Sequence, residues 1–98
     1  MKGLGFTEAK RRVITALDTG QYQHESREGI DTKNLLLTGQ ISAQELKAVL
    51  LRSNGNDHVA SPHHADSNTE VHIVKHNEWY VKFYFIDDPD TVFISVHK

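Results

Sequence analysis

The chain has 98 residues, enough for one domain with one modest core, and its formal net charge of −2 does not mark it as a bulk polyanion binder. Apolar residues make up 38% and charged residues 24%, which reads as globular, not disordered. There are no cysteines, which excludes disulfides and cysteine-based zinc sites, and no segment approaches the roughly 20 apolar residues of a membrane span. The start, Met1-Lys2-Gly3-Leu4-Gly5-Phe6, lacks the apolar run of a signal peptide, so the expectation is a single cytoplasmic domain over residues 1–98 with no membrane partner.

A first helix is predicted from about Glu8 to Asp18, with Thr7 as N-cap and Gly20 as its stop. Ala9, Val13, Ala16 and Leu17, with Ile14 on the flank, recur at helical spacing and define its buried stripe. Lys10, Arg11 and Arg12 form a basic run that reads as a solvated helix face or as the border of an RNA groove. Gln21–Ile30 is polar and reads as a connector. A short second helix is expected next, capped by Asp31 or Thr32, buried through Leu35–Leu37 and ended by Gly39. Ser42-Ala43-Gln44-Glu45 is a capping box, in which Ser42 and Glu45 satisfy free N–H groups reciprocally. Ile41 and Leu46 flank it as a hydrophobic staple, and Leu46, Val49 and Leu50 supply the buried face of a third helix that ends at Arg52-Ser53-Asn54-Gly55.

After a turn-rich stretch, with a short strand expected near His58–Ala60, the period changes from 3.6 to 2. Val71–Lys75, Trp79–Ile86 and Thr91–His97 alternate and are rich in β-branched and aromatic residues, so they read as three antiparallel strands. The expected fold class is therefore α+β, with two or three N-terminal helices packed on a C-terminal three- to four-stranded antiparallel sheet. A four-residue loop at Asp87–Asp90 would set Phe85 opposite Val92, Phe83 opposite Ile94 and Val81 opposite Val96 on the core face. It would place Tyr84 opposite Phe93, Lys82 opposite Ser95 and Tyr80 opposite His97 on the other. A three-residue loop at His76–Glu78 sends Val71 and Ile73 to the core and His72 to the polar face; a two-residue loop reverses that parity.

The polar face then carries His72, Tyr80, Lys82, Tyr84, Ser95 and His97. RNA cleavage without a metal needs a base for the 2′-OH, a cation for the phosphorane charge and an acid for the leaving oxygen. Tyr80, Lys82, His72 and His97 are the catalytic candidates on the sheet, and an exposed aromatic can stack a base. The turn Ser61-Pro62-His63-His64-Ala65-Asp66 could deliver His63 or His64 to the rim as a proton shuttle. Lys47, Arg52, Tyr84 and Ser95 are the candidate RNA contacts.

Three stretches resemble the MqsR family of toxin–antitoxin mRNA interferases, within the wider RelE-like and barnase–EndoU–colicin-like class of ribonuclease toxins. Residues Arg12–Gln21 look like its first helix, Ile41–Lys47 are similar to a helix start, and Trp79–Ile86 with Val92–Lys98 are similar to its last hairpin. His24-Glu25-Ser26-Arg27-Glu28-Gly29-Ile30 is similar to the BrnT-like group of the same class. The resemblance implies an endoribonuclease with an RNA substrate and a cognate antitoxin, acting on neither DNA nor a membrane and using no cofactor or metal. Tyr80 matches that family's catalytic tyrosine, and Lys47 roughly matches a helix lysine. The catalytic lysine falls at His97, or at Lys98 with a one-residue shift. The catalytic glutamine has no counterpart between His64 and His72.

Two other readings compete. The negative net charge and the acidic loop Asp87–Asp90 suit a non-catalytic protein-binding module of immunity or antitoxin type. His63 or His64 with Asp66 and His72 could supply three N/O ligands to a metal-dependent hydrolase.

Overall fold

An α-helix forms where the apolar stripe predicts it, although it starts earlier. In a computed structural model that describes residues 5–25, 34–62, 69–87 and 90–98, helix α1 covers Phe6–Thr19 with Gly5 as N-cap, so Thr7 lies within the first turn and not at the cap. The shift follows from Phe6, whose ring packs against the core and so draws the helix start toward it. Gly20, at φ +76°, closes the helix in the left-handed conformation that favours glycine, and its N–H donates to the Ala16 carbonyl. Ala9, Val13, Ala16 and Leu17 are the buried stripe.

The polar connector contains a strand that its composition hides. Tyr22–His24 (β1) pairs in parallel with the last strand of the chain, Tyr22 against Thr91 and His24 against Phe93. The Tyr22 ring meets Phe93 edge-on at 5.6 Å, which anchors this otherwise polar segment. The expected helix around Leu35–Leu37 is instead a turn. Leu35 N–H donates to the Val96 carbonyl at 2.7 Å, the Asn34 side-chain oxygen accepts from Leu37 N–H at 3.0 Å, and Gly39 turns the chain at φ +82°. The bond to the sheet at Leu35 and the side-chain bond at Leu37 take backbone N–H groups that a helix would use. The proposed caps Asp31 and Thr32 lie outside the described residues.

Helix α2 (Ala43–Arg52) begins as the capping box dictates: Glu45 N–H donates to Ser42 Oγ and Ser42 N–H to Glu45 Oε1, both at 3.1 Å. Ile41 and Leu46, the two ends of the staple, both join the core. At the other end Lys10 Nζ donates to the Leu51 and Ser53 carbonyls, at 2.9 and 3.0 Å, which pins α1 to the negative end of α2. Asp18 and Lys47 pair across the two helices at 2.8 Å.

After a single 3₁₀ turn at Gly55–Asp57, strands β2 (His58–Pro62), β3 (Glu70–His76), β4 (Trp79–Phe85) and β5 (Thr91–His97) complete one five-stranded sheet in the order β1-β5-β4-β3-β2. The α+β class holds; the sheet is mixed and not antiparallel throughout, because β1 adds to it in parallel. Both helices cover one face of the sheet, where Leu46 and Leu50 of α2 and Val13 and Leu17 of α1 meet Val74, Val81, Phe83, Phe93 and Val96. No described helix is long and apolar enough to cross a membrane.

The register of the first hairpin differs from the sequence reading, and that of the last differs from Phe83 to the turn. Trp79 pairs with His76 and Val81 with Val74, so the β3–β4 loop has two residues, Asn77 and Glu78, both at positive φ (52° and 71°). This is the short hairpin turn whose twist matches that of the strands. In the last hairpin Val81 pairs with Val96, Lys82 with Ser95 and Tyr80 with His97, as expected. A bulge between Lys82 and Phe83 then leaves Ile94 as the extra residue, so Phe83 faces Phe93 and Tyr84 faces Val92. Phe93 and Val96 are three residues apart, and only a bulge lets both point into the core.

Candidate functional site

The sheet face away from the helices is built from alternate residues of β3, β4 and β5. It gathers Lys75, Tyr80, Lys82, Tyr84, Ser95 and His97 beside the apolar Val71, Ile73 and Val92, of which Val71 and Val92 are buried, and four of the polar and aromatic residues are neighbours as the cross-strand pairs Tyr80–His97 and Lys82–Ser95. The Tyr80 and His97 rings lie stacked, 4.9 Å between centroids with planes 16° apart. Lys75 Nζ stands 5.7 Å from the Tyr80 ring centroid on this face; on the other side of the sheet Lys98 Nζ stands 5.2 Å from the ring centroid of Trp79, which packs against the core. Lys82 follows Tyr80 by two residues on the same strand, about 7 Å along it.

His97 Nδ1 is 3.2 Å from the main-chain oxygen of Lys98. That oxygen can only accept, so the bond places the hydrogen of the neutral ring on Nδ1 and leaves a lone pair on Nε2. At the far end of β4, Tyr84 Oη donates to Glu25 Oε1 at 3.5 Å. Partial burial, then the Glu25 charge, pushes the Tyr84 phenol above its ordinary pKa, so it stays a donor at neutral pH.

His72 is not on this face. The two-residue loop turns it toward the helices, where it is 1% exposed and packs against Phe83 and Phe85. Its Nδ1 lies 2.9 Å from His58 Nε2, and its Nε2 lies 3.3 Å from Glu70 Oε1. The carboxylate only accepts, so His72 carries its hydrogen on Nε2, accepts at Nδ1, and His58 Nε2 donates. Burial is the main force that lowers the His72 pKa to about 4, and the proximity of His58 and Arg12 adds to it against the opposing pull of Glu70. His72 is thus a neutral core residue, removed from the catalytic set that the sequence suggests.

His63, His64 and Asp66 lie outside the described residues. Among the described residues no group of three His, Cys, Asp or Glu side chains could hold a metal ion. Lys47 and Arg52 stand on α2, on the helical side of the sheet, so the candidate RNA contacts divide between two faces, with Tyr84 and Ser95 on the open one. The basic run is also engaged elsewhere: Lys10 caps α2, and Arg11 and Arg12 both bond Glu8. Those two guanidinium groups hold the Glu8 carboxyl down to about 2. Sequence reasoning missed Lys75 and Glu25 as residues of the open face. Lys75 follows from the hairpin parity alone; Glu25 needs the unforeseen strand β1, and no pattern in the sequence marks it.

No family model matches the chain, and no curated protein or solved structure matches it closely.

Proposed function

We propose that the open face of the sheet binds RNA and cleaves it without a metal, in the manner of the toxin-type endoribonucleases that the sequence resembles. The observation that carries this reading is the stacked Tyr80–His97 pair with Lys82 one step along the strand. His97 Nε2 takes the 2′-OH proton as that oxygen attacks the adjacent phosphorus. The P–O5′ bond breaks, leaving a 2′,3′-cyclic phosphate and a 5′-oxygen that takes up a proton from water, and His97 returns the proton it accepted to solvent. Lys82 supplies fixed positive charge to the phosphorane oxygens, and the Tyr80 phenol donates a hydrogen bond at the same centre. The loss of His72 from this face narrows the proton-transfer set to His97 and Tyr80 among the described residues. An antitoxin would act by covering this face.

The test is cleavage of an end-labelled RNA in EDTA. Wild type is expected to leave 2′,3′-cyclic phosphate ends, His97→Ala to lose about 100-fold or more, and Lys82→Ala and Tyr80→Phe to lose at least about 10-fold. Absence of cleavage, or His97→Ala at the wild-type rate, overturns the reading in favour of a non-catalytic binding module.

A further inference from the structure

Lys75, Tyr80 and His97 are consecutive cross-strand partners, one on each of β3, β4 and β5, and form a single row across the open face. The Tyr80 ring is flanked within that row. His97 stacks on it with centroids 4.9 Å apart, and from the neighbouring strand on the other side Lys75 Nζ stands 5.7 Å from its centroid. On a sheet face away from the helices, an aromatic side chain takes its orientation from its cross-strand neighbours. Lys75 is exposed and makes no ion pair or side-chain hydrogen bond among the described residues, so the ring is the contact that its ammonium has. Lys82, in the next row, lies instead between Ile73 and Ser95. The two lysines of this face therefore stand in different settings.

We propose that Lys75 is a positioning residue, whose ammonium holds the Tyr80 ring in its stack with His97 and so sets the geometry of proton transfer on this face. The assignment rests on the reading of the open face as a ribonuclease site and gives that site a member that touches no substrate. An ammonium is drawn to the face of an aromatic ring and not to its edge. With Lys75 and His97 on opposite sides of Tyr80, the ring orientation that serves one contact serves the other. The bond from His97 Nδ1 to the Lys98 carbonyl fixes one end of the imidazole, and the stack fixes its plane, so the direction of Nε2 follows from the row. Misplacing a reacting group by about 1 Å can cost on the order of 100-fold in rate. Loosening the row is therefore felt in the chemical step, with binding retained. A lysine that contacted phosphate would act instead on binding and on its salt dependence.

The experiment compares Lys75→Met, which keeps the aliphatic stem without the charge, with Lys75→Arg, whose guanidinium also stacks on aromatic rings. In RNA-free protein, NMR of the His97 ring protons reads the stack, because protons over an aromatic face shift upfield, and Tyr80→Leu gives their positions without it. Lys75→Met is expected to move these resonances toward the Tyr80→Leu positions, and Lys75→Arg to leave them near wild type. With end-labelled RNA in EDTA, Lys75→Met should lower kcat by about 3- to 5-fold, the factor that corresponds to one exposed cation–π contact. KM should stay within about 2-fold, the salt slope should hold, and Lys75→Arg should restore kcat. Resonances in Lys75→Met that coincide with wild type overturn the proposal, whatever the rate. A kcat at the wild-type value does the same, and so does a raised KM with a salt slope lower by about 0.7, which makes Lys75 a phosphate contact. No cleavage by wild type overturns the ribonuclease reading, and the resonances then decide by themselves whether Lys75 holds the stack.

Discussion

His58 Nε2 and His72 Nδ1 meet at 2.9 Å, with His58 against Phe6 on one side and His72 against Phe83 on the other. The pair joins β2 to β3 on the helix-facing side, and its second ring is closed off from water. Only one hydrogen fits between the two nitrogens. A proton added to His72 puts a second N–H against the His58 donor and breaks the contact unless His58 changes tautomer.

Folding stability is therefore expected to fall on mild acidification. The folded-state pKa of His72 is about 4, against an ordinary value near 6.5, and burial also lowers those of His58 and His24. Between those values the unfolded chain binds protons that the folded chain refuses. For His72, stability is full above pH 6.5 and drops as pH falls toward 4, by up to about 1.4 kcal/mol per pH unit, and His58 and His24 act in the same direction. Glu8 and Asp57, whose pKa values are depressed, act in the same direction but below the ordinary carboxylate range, so the two windows separate. Urea midpoints at pH 7.5, 6.5, 5.5 and 4.5 measure the slope. His72→Phe should flatten it above pH 5, and an unchanged slope in that variant would assign it elsewhere.

This histidine shows where sequence reasoning stops. The run Val71-His72-Ile73-Val74 offers apolar residues to both faces, Val71 and Ile73 to one and Val74 to the other, so its pattern does not settle the parity; the loop length does, and one residue decides it. Val92-Phe93-Ile94 is apolar throughout, and only the packing of Phe93 beside Phe83 and Tyr22 forces the bulge. Where the local chemistry is unambiguous it specifies the structure: the Ser42 box, the Gly20 stop, and the pairs Tyr80–His97 and Lys82–Ser95 all form. Strand β1 was not legible because its three residues pair with a strand almost 70 positions away, and no local pattern encodes a parallel partner.

The capping box gives a second prediction. Ser42 Oγ accepts from Glu45 N–H, and the residues on either side, Ile41 and Leu46, are in the core. Ser42→Ala is expected to lower stability by about 1 kcal/mol. Leu46→Ala, at a fully buried position, should cost about 2–5 kcal/mol. Equilibrium denaturation of the two variants should keep that ranking; equal losses would mean that α2 docks without needing its staple.

The turn gives a third. Glu78→Gly relieves a left-handed conformation that costs an L-residue about 1–2 kcal/mol, set against the smaller entropic cost of glycine in the unfolded chain. A net gain of up to about 1 kcal/mol in the denaturation midpoint is expected. Asn77→Ala should lose stability, since asparagine tolerates that region better than alanine. A Glu78→Gly variant less stable than wild type would show that the carboxylate itself holds the turn.

The last concerns which side of the sheet meets RNA. Lys82 lies on the open face with no ion pair among the described residues, whereas Lys47 lies on the helical side and is paired with Asp18. Each lysine that neutralises a phosphate of a single strand adds about 0.7 to the slope of log affinity against log salt. Lys82→Ala should lower the measured slope by about that amount. Lys47→Ala should leave it unchanged and cost no more than about 1 kcal/mol of stability, the scale of an exposed ion pair. The converse result, a slope that responds to Lys47 and not to Lys82, would move the RNA to the helical face and separate it from Tyr80 and His97.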